Sequence, residues 1–178
     1  YRLRAIFGQN KDENFSIAIY LYDRSEDVLW DFLSKKDRKI NKEEDSGRDW
    51  HRNDCSHIAF CFNHQLELIH SDIPTRFQEF GLDISGSYSD SNDLENYKSA
   101  ITLPIFFRKN DAKKIVGVFC LTSDKVGTFH EPGNSVTEPV YSLKIQILRI
   151  MVEQIAENLS LLYGNDETKT VKTTVRNN

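Results

Sequence analysis

Apolar residues in this chain recur with two periods, and each stretch predicts an element. Ser99–Phe107 and Ile115–Thr122 are β-branched, apolar runs on either side of the polar turn Arg108–Lys114, which predicts two strands joined by a turn. In Phe15–Tyr22, Phe15, Ile17, Ile19 and Leu21 alternate with Ala18, Tyr20 and Tyr22. Both sets are largely apolar, so the expected strand is central and covered on each face. Val28–Ser34, after the charged turn Asp23–Asp27, and Leu66–His70 predict further strands. Tyr1–Phe7 alternates as a strand with one wet face.

Helical spacing is confined to two places. Asp54-Cys55-Ser56 supplies capping chemistry for a short helix, His57–Asn63. Near the end, Ile145, Leu148, Val152, Ile155, Leu159 and Leu162 repeat at intervals of three and four, predicting one long amphipathic helix. Pro139 falls in its first turn and Gly164 stops it. Ile147, Ile150 and Met151 widen the apolar stripe beyond what a single sheet contact requires. The surplus fits either a deeply buried helix or a partner helix.

Between the elements lie two polar stretches. Lys35–Asn53 is charged with mixed signs, and Gly81–Asn92 is rich in Gly, Ser and Asp, as expected of loops. Residues 165–178 hold only Val171 and Val175 among polar residues and read as a linker or a disordered tail. The chain begins at Tyr1, so it is expected to be a piece of a longer protein. At 178 residues it suits one domain. A net charge of −4 argues against a surface that tracks nucleic acid. No apolar run is long enough to span a bilayer. Three cysteines, with Cys120 inside an apolar run, point to a reducing compartment and so to the cytoplasm.

The order of these elements resembles a GAF domain over Phe15–Tyr163. The residues that carry the resemblance are an opening hairpin whose first strand ends in Asp23, and the strand pair Ser99–Phe107 and Ile115–Thr122 with its inner Gly117. The small-residue loop Ser123–Phe129 ending in Phe, the closing helix and Asp72 after a short strand complete it. Two features depart from it: a strand, Tyr1–Phe7, where the family usually has a helix, and the long charged loop Lys35–Asn53.

The resemblance implies an α+β fold, a GAF-like (PAS-related) antiparallel β-sheet flanked by helices. The domain would span residues 1–164, with 165–178 outside it. It implies a non-catalytic regulatory sensor within a larger signalling protein. A small polar or nucleotide-like ligand would bind between the sheet and the Gly81–Asn92 region, lined by position by Cys61, Asp72, Tyr88, Tyr97, Ser99, Thr102 and Phe119. The closing helix would pair in a homodimer and relay the ligand state to a neighbouring effector domain. Arg2 and Arg4 could follow a membrane anchor, leaving this part cytosolic. An interaction module without ligand, or a thiol- or metal-dependent redox domain, are the alternatives.

Candidate chemistry outside that resemblance is sparse. Cys55, His57, Cys61 and His64 form C-x-H-x3-C-x2-H, with the last three on one helical face as soft-metal ligands could be. Bilin-attaching GAF domains place His directly after Cys, whereas Ser56 intervenes here. Asp124-Lys125 and Phe129 match part of the Asn-Lys…Phe…Asp-Glu signature of cyclic-nucleotide-binding members, but Gly133 and Asn134 stand at its acidic positions. No phosphate-binding glycine loop, nucleophile elbow or HExxH is present, and the motifs specify no cofactor.

Overall fold

A computed structural model describes residues 12–36, 49–54, 56–73, 97–109, 112–130 and 138–163. The expected strand Tyr1–Phe7, the Gly81–Asn92 loop, Tyr88, Cys55, Gly164 and residues 165–178 lie outside them.

Six strands form one sheet: β1 (Phe15–Asp23), β2 (Val28–Lys36), β3 (Trp50–His51), β4 (Leu68–His70), β5 (Ser99–Lys109) and β6 (Ala112–Ser123). Their order is β3-β2-β1-β6-β5-β4 and every pairing is antiparallel. Helix α1 (His57–His64) covers one face and α2 (Glu138–Tyr163) the other. This is the α+β, GAF-like antiparallel sheet flanked by helices.

The two apolar faces of β1 are explained by the helices packed on either side of the sheet. Ile19 and Leu21 face α2 with Leu103, Ile105, Phe119, Leu121, Leu148 and Val152. Ala18, Tyr20 and Tyr22 face α1 with Val118, Cys120, Ile58 and Cys61. The strands are therefore sandwiched, and the sheet separates two cores.

Some boundaries differ from the expected ones. The polar turn Arg108–Lys114 shrinks, because β5 and β6 continue pairing through Arg108↔Lys113 and Lys109↔Ala112. A ladder needs only backbone groups, so polar side chains do not end it. The charged stretch Lys35–Asn53 contains the two-residue edge strand β3, whose Trp50 is buried. Ser56 is the N-cap of α1, and its Oγ accepts from the Ala59 N–H at 3.0 Å.

Helix α2 buries Ile145, Leu148, Val152, Ala156 and Leu159. Leu162, expected in this stripe, is exposed, and Ala156 is buried in the stripe instead. A second ridge of Leu143, Ile147, Ile150, Met151 and Leu161 points to solvent, with Ile150 64% and Leu161 84% exposed.

The entry to β1 is stapled to the exit of β6. Glu13 is buried and accepts hydrogen bonds from the Ser123 hydroxyl at 2.7 Å and from Thr128. Beside it the Asn14 backbone N–H and Nδ2 donate to the Asp124 carboxylate at 2.9 and 2.7 Å. Phe129, fully buried, packs edge-on against Phe15 with ring centroids 6.3 Å apart.

Candidate functional site

Period-two alternation and the ladder register decide which residues share a face. Two cross-strand rows run under α1. One is Leu68, Thr102, Cys120 and Ala18, and the next is His70, Ala100, Thr122 and Ser16. Helix α1 drops His57 onto these rows. Its Nε2 lies 3.5 Å from Cys120 Sγ, and its ring meets that of His70 at 6.2 Å between centroids in a T-shaped arrangement. The Thr102 hydroxyl is directed at Cys120 Sγ, 3.8 Å away. This face thus joins imidazole, thiol and hydroxyl groups on a mostly apolar floor.

His57 and the thiols are held neutral. Burial, and then neighbouring His70, push the His57 imidazole down from its ordinary 6.5 to about 3. Burial pushes the Cys120 thiol up to about 12, partly offset by the Thr102 hydrogen bond. Cys61 is raised by burial first, then by Cys120 and Glu67. The buried Tyr20 phenol is raised chiefly by burial. A nucleophilic thiolate needs a partner that carries the proton, and here the imidazole is by far the weaker base.

The neutral state of His57 has a consequence for stability. The unfolded chain takes up a proton at this side chain near pH 6.5, and the folded chain does so only near pH 3. Stability is therefore full above pH 6.5 and falls as pH drops through that window. Between about pH 7 and about pH 5, wild type should lose roughly 1–2 kcal/mol more than a His57→Gln variant. Urea unfolding at the two pH values measures this, and equal losses would contradict it.

The sequence-predicted lining residues are distributed over the sheet. Cys61 and Thr102 are buried on the α1 face. Asp72 and Tyr97 are half-buried beyond the ends of β4 and β5. Ser99 is buried and its hydroxyl donates to the Lys125 carbonyl at 2.7 Å, whereas Phe119 belongs to the α2-side core. Tyr88 lies outside the described residues. The structure adds His57, His70, Cys120 and Thr122 to the α1 face. Thr102 already marked even-numbered positions of β5 as polar on one face, but only the β5–β6 register shows that Cys120 is its partner.

Of the Cys55, His57, Cys61 and His64 cluster, Cys55 lies outside the described residues. His64 is exposed and stacks on Phe60 at 4.2 Å between centroids, away from the buried Cys61. Among the described residues, no three His, Cys, Asp or Glu side chains are grouped so as to hold a metal ion. Asp124 binds Asn14, and Phe129 is core.

On the opposite face, a cleft of about 280 Å³ opens between α2 and the far end of the β5–β6 hairpin. At its rim Arg149 Nε and one terminal amine donate to Glu67 at 2.9 and 3.0 Å, tying α2 to the α1–β4 connection. Among the described residues, no helix is long and apolar enough to cross a membrane.

A six-stranded antiparallel sheet with a short helix over one face and a long closing helix over the other is the fold of GAF domains. Three solved structures are similar to it. The GAF domain of an Acinetobacter phosphoenolpyruvate-protein phosphotransferase matches with a TM-score of 0.50 and 12% identity over 84% of this chain and 74% of that one. A type II free methionine-R-sulfoxide reductase from Thermoplasma acidophilum matches with a TM-score of 0.51 and 10% identity over 82% and 78%. Residues 122 to 287 of a methyl-accepting chemotaxis protein match with a TM-score of 0.53 and 15% identity over 90% and 82%. No protein-family model and no curated protein matches the chain.

Proposed function

We propose that this chain is a non-catalytic sensor domain of a larger signalling protein. It binds a small polar molecule on the α1 face and passes the bound state to a neighbouring effector domain through α2. The observation that carries this reading is the row of His57, His70, Thr102, Cys120 and Thr122 on that face, opposite an α2 face filled with apolar side chains. Two of the structurally similar proteins, a chemotaxis protein and the GAF domain of a phosphotransferase, support a regulatory role by analogy of fold. The reductase is a reminder that the fold also hosts chemistry. The raised thiols Cys61 and Cys120 and the depressed His57 favour binding over turnover here. Two buried free thiols also suit a cytoplasmic setting.

Relay has a physical route. Glu67 follows α1 by three residues, and its two hydrogen bonds to Arg149 connect that segment to α2. A ligand that displaces α1 changes the α2 end of this pair, so the two elements share one equilibrium.

The test is a thermal-shift screen of the purified domain against metabolites and nucleotides, repeated on a Thr102→Val, Thr122→Val double variant. A ligand that raises the Tm of wild type but not of the variant supports the reading. No shift with any compound would reject it in favour of a ligand-free interaction module.

A second copy of the chain is the proposed partner of α2. Leu143, Ile147 and Ile150 follow one another at steps of four and three, the spacing of a helix-pairing seam, and all are exposed. A Leu143→Glu, Ile150→Glu variant should convert a dimer to a monomer in sedimentation at constant stability. A wild-type monomer at high concentration would refute this.

A further inference from the structure

We propose that the α1-face site is built for an uncharged ligand, one that presents a hydrogen-bonding edge to Thr122 and a flat or apolar body to the half-buried Ala18. This deepens the sensor reading above and rests on it. Thr122 is 9% exposed, and its hydroxyl has no hydrogen-bond partner among the described residues. An orphaned buried hydroxyl forfeits the water it had in the unfolded chain and gains nothing in return. The register puts it between Ala100 and Ser16, in the row that begins at His70. Ser16, Ala18 and His70 around it are only half-buried. A ligand group that pairs with this hydroxyl satisfies a donor and an acceptor that the protein leaves open.

The surrounding groups disfavour charge of either sign. A buried carboxylate or phosphate needs a guanidinium, an ammonium or several spare backbone N–H groups. From α1 the face receives His57 and Cys61. From β4, β5, β6 and β1 it receives His70, Thr102, Cys120 and Tyr20, and backbone groups of the inner strands are engaged in ladders. The His57 imidazole and the Cys61, Cys120 and Tyr20 groups are neutral at physiological pH. A bound cation fares no better. Glu67 already serves Arg149, and Asp31 lies on β2, two strands from Thr122. Beyond the strand ends, Asp72 and Lys98 bring one half-buried charge of each sign.

The experiment uses matched compounds that share a ring and differ in charge. Nicotinamide, benzamide and adenine are the neutral members, and nicotinate, benzoate, benzylamine and adenosine 5′-monophosphate are the charged ones. Titrations of the whole chain are followed by NMR at the Thr122 methyl and the His57 and His70 rings. At least one neutral compound should produce saturable shifts at these signals, at least tenfold tighter than its charged counterpart. Thr122→Val should weaken that binding at least tenfold while leaving Tm unchanged or higher, because valine keeps the shape and removes the orphaned group. A loss of Tm with unchanged affinity would show Thr122 to be structural and overturn the proposal. A charged compound binding here as tightly as its neutral partner would overturn the proposal and leave the sensor reading standing. Absence of binding by every compound would overturn the proposal, and the sensor reading is then decided separately by the metabolite and nucleotide screen.

Discussion

Replacing Phe129 with alanine will destabilise the domain by about 3–5 kcal/mol, which ranks with the costliest truncations a core tolerates. The side chain is fully buried, meets Phe15 edge-on, and sits in the core that α2 closes. Its removal opens a space that the stapled segments around it cannot fill. Glu13, Ser123 and Thr128 hold one wall, and the Gly127 N–H donates to the Ser71 carbonyl at 2.8 Å on the other. For a domain of this size the loss corresponds to a fall in Tm of roughly 10 °C. Urea unfolding measures it directly. A cost below about 1 kcal/mol would mean that Phe129 is not core. The result also separates two readings of the Asp124-Lys125…Phe129 motif. If Phe129 serves packing, the variant loses stability in the absence of any ligand. If it served a nucleotide, stability would hold and affinity would drop.

Gly117→Ala should cost about 3 kcal/mol, through overpacking of the sheet itself. Gly117 lies opposite Leu21 of β1 and Ile105 of β5. A Cβ built on it would come 2.3 Å from the Tyr20 carbonyl oxygen, 3.0 Å from Leu21 Cδ2 and 3.3 Å from Leu21 Cα. Two of those three atoms are backbone, so β1 must move as a strand. The register irregularity in β5 at Ile105/Phe106 falls at this point, where Val116 has no residue opposite it. Gly127 is the useful contrast. Its φ of +78° requires glycine, yet a Cβ there would have nothing within 4 Å. Gly127→Ala should therefore cost only about 1–2 kcal/mol, from backbone strain alone. If the two alanine variants unfold at the same urea concentration, the steric account of Gly117 is wrong.

The inner glycine of the second strand and the loop ending in Phe, two features that carried the resemblance to GAF domains, are thus positions where the fold is most constrained. They were readable because close backbone approach and a large buried ring each demand one residue type. Trp50 was harder to place. It sits in a run of charges, and only the pairing of β3 with Leu29 of β2 makes it part of the core. A two-residue strand has too few positions to display a period.

The candidate site was less legible for a different reason. Cys61 and Thr102 lie on the α1 face, whereas Phe119 and Ser99 lie across the sheet from them. In a strand, adjacent residues point to opposite sides, so Ser99 and Thr102, three apart, belong to different faces. Residues that line a site together are brought there by register, and register depends on residues far away in the chain. The orphaned Thr122 hydroxyl and the His57–Cys120 contact, formed across 63 positions, have no local signature.

Local periodicity determined the type and order of the main described elements, because burial on one side of a helix or on two sides of a strand writes itself directly into the spacing of apolar residues. The amino-acid order also carried the small residue that lets β1 and β6 approach. Tertiary structure alone decided which polar side chains meet under α1, and it decided their protonation. A histidine and a cysteine titrate near neutrality or modestly above it in water, and the exclusion of water by the layers packed around them moves both titrations well away from neutrality.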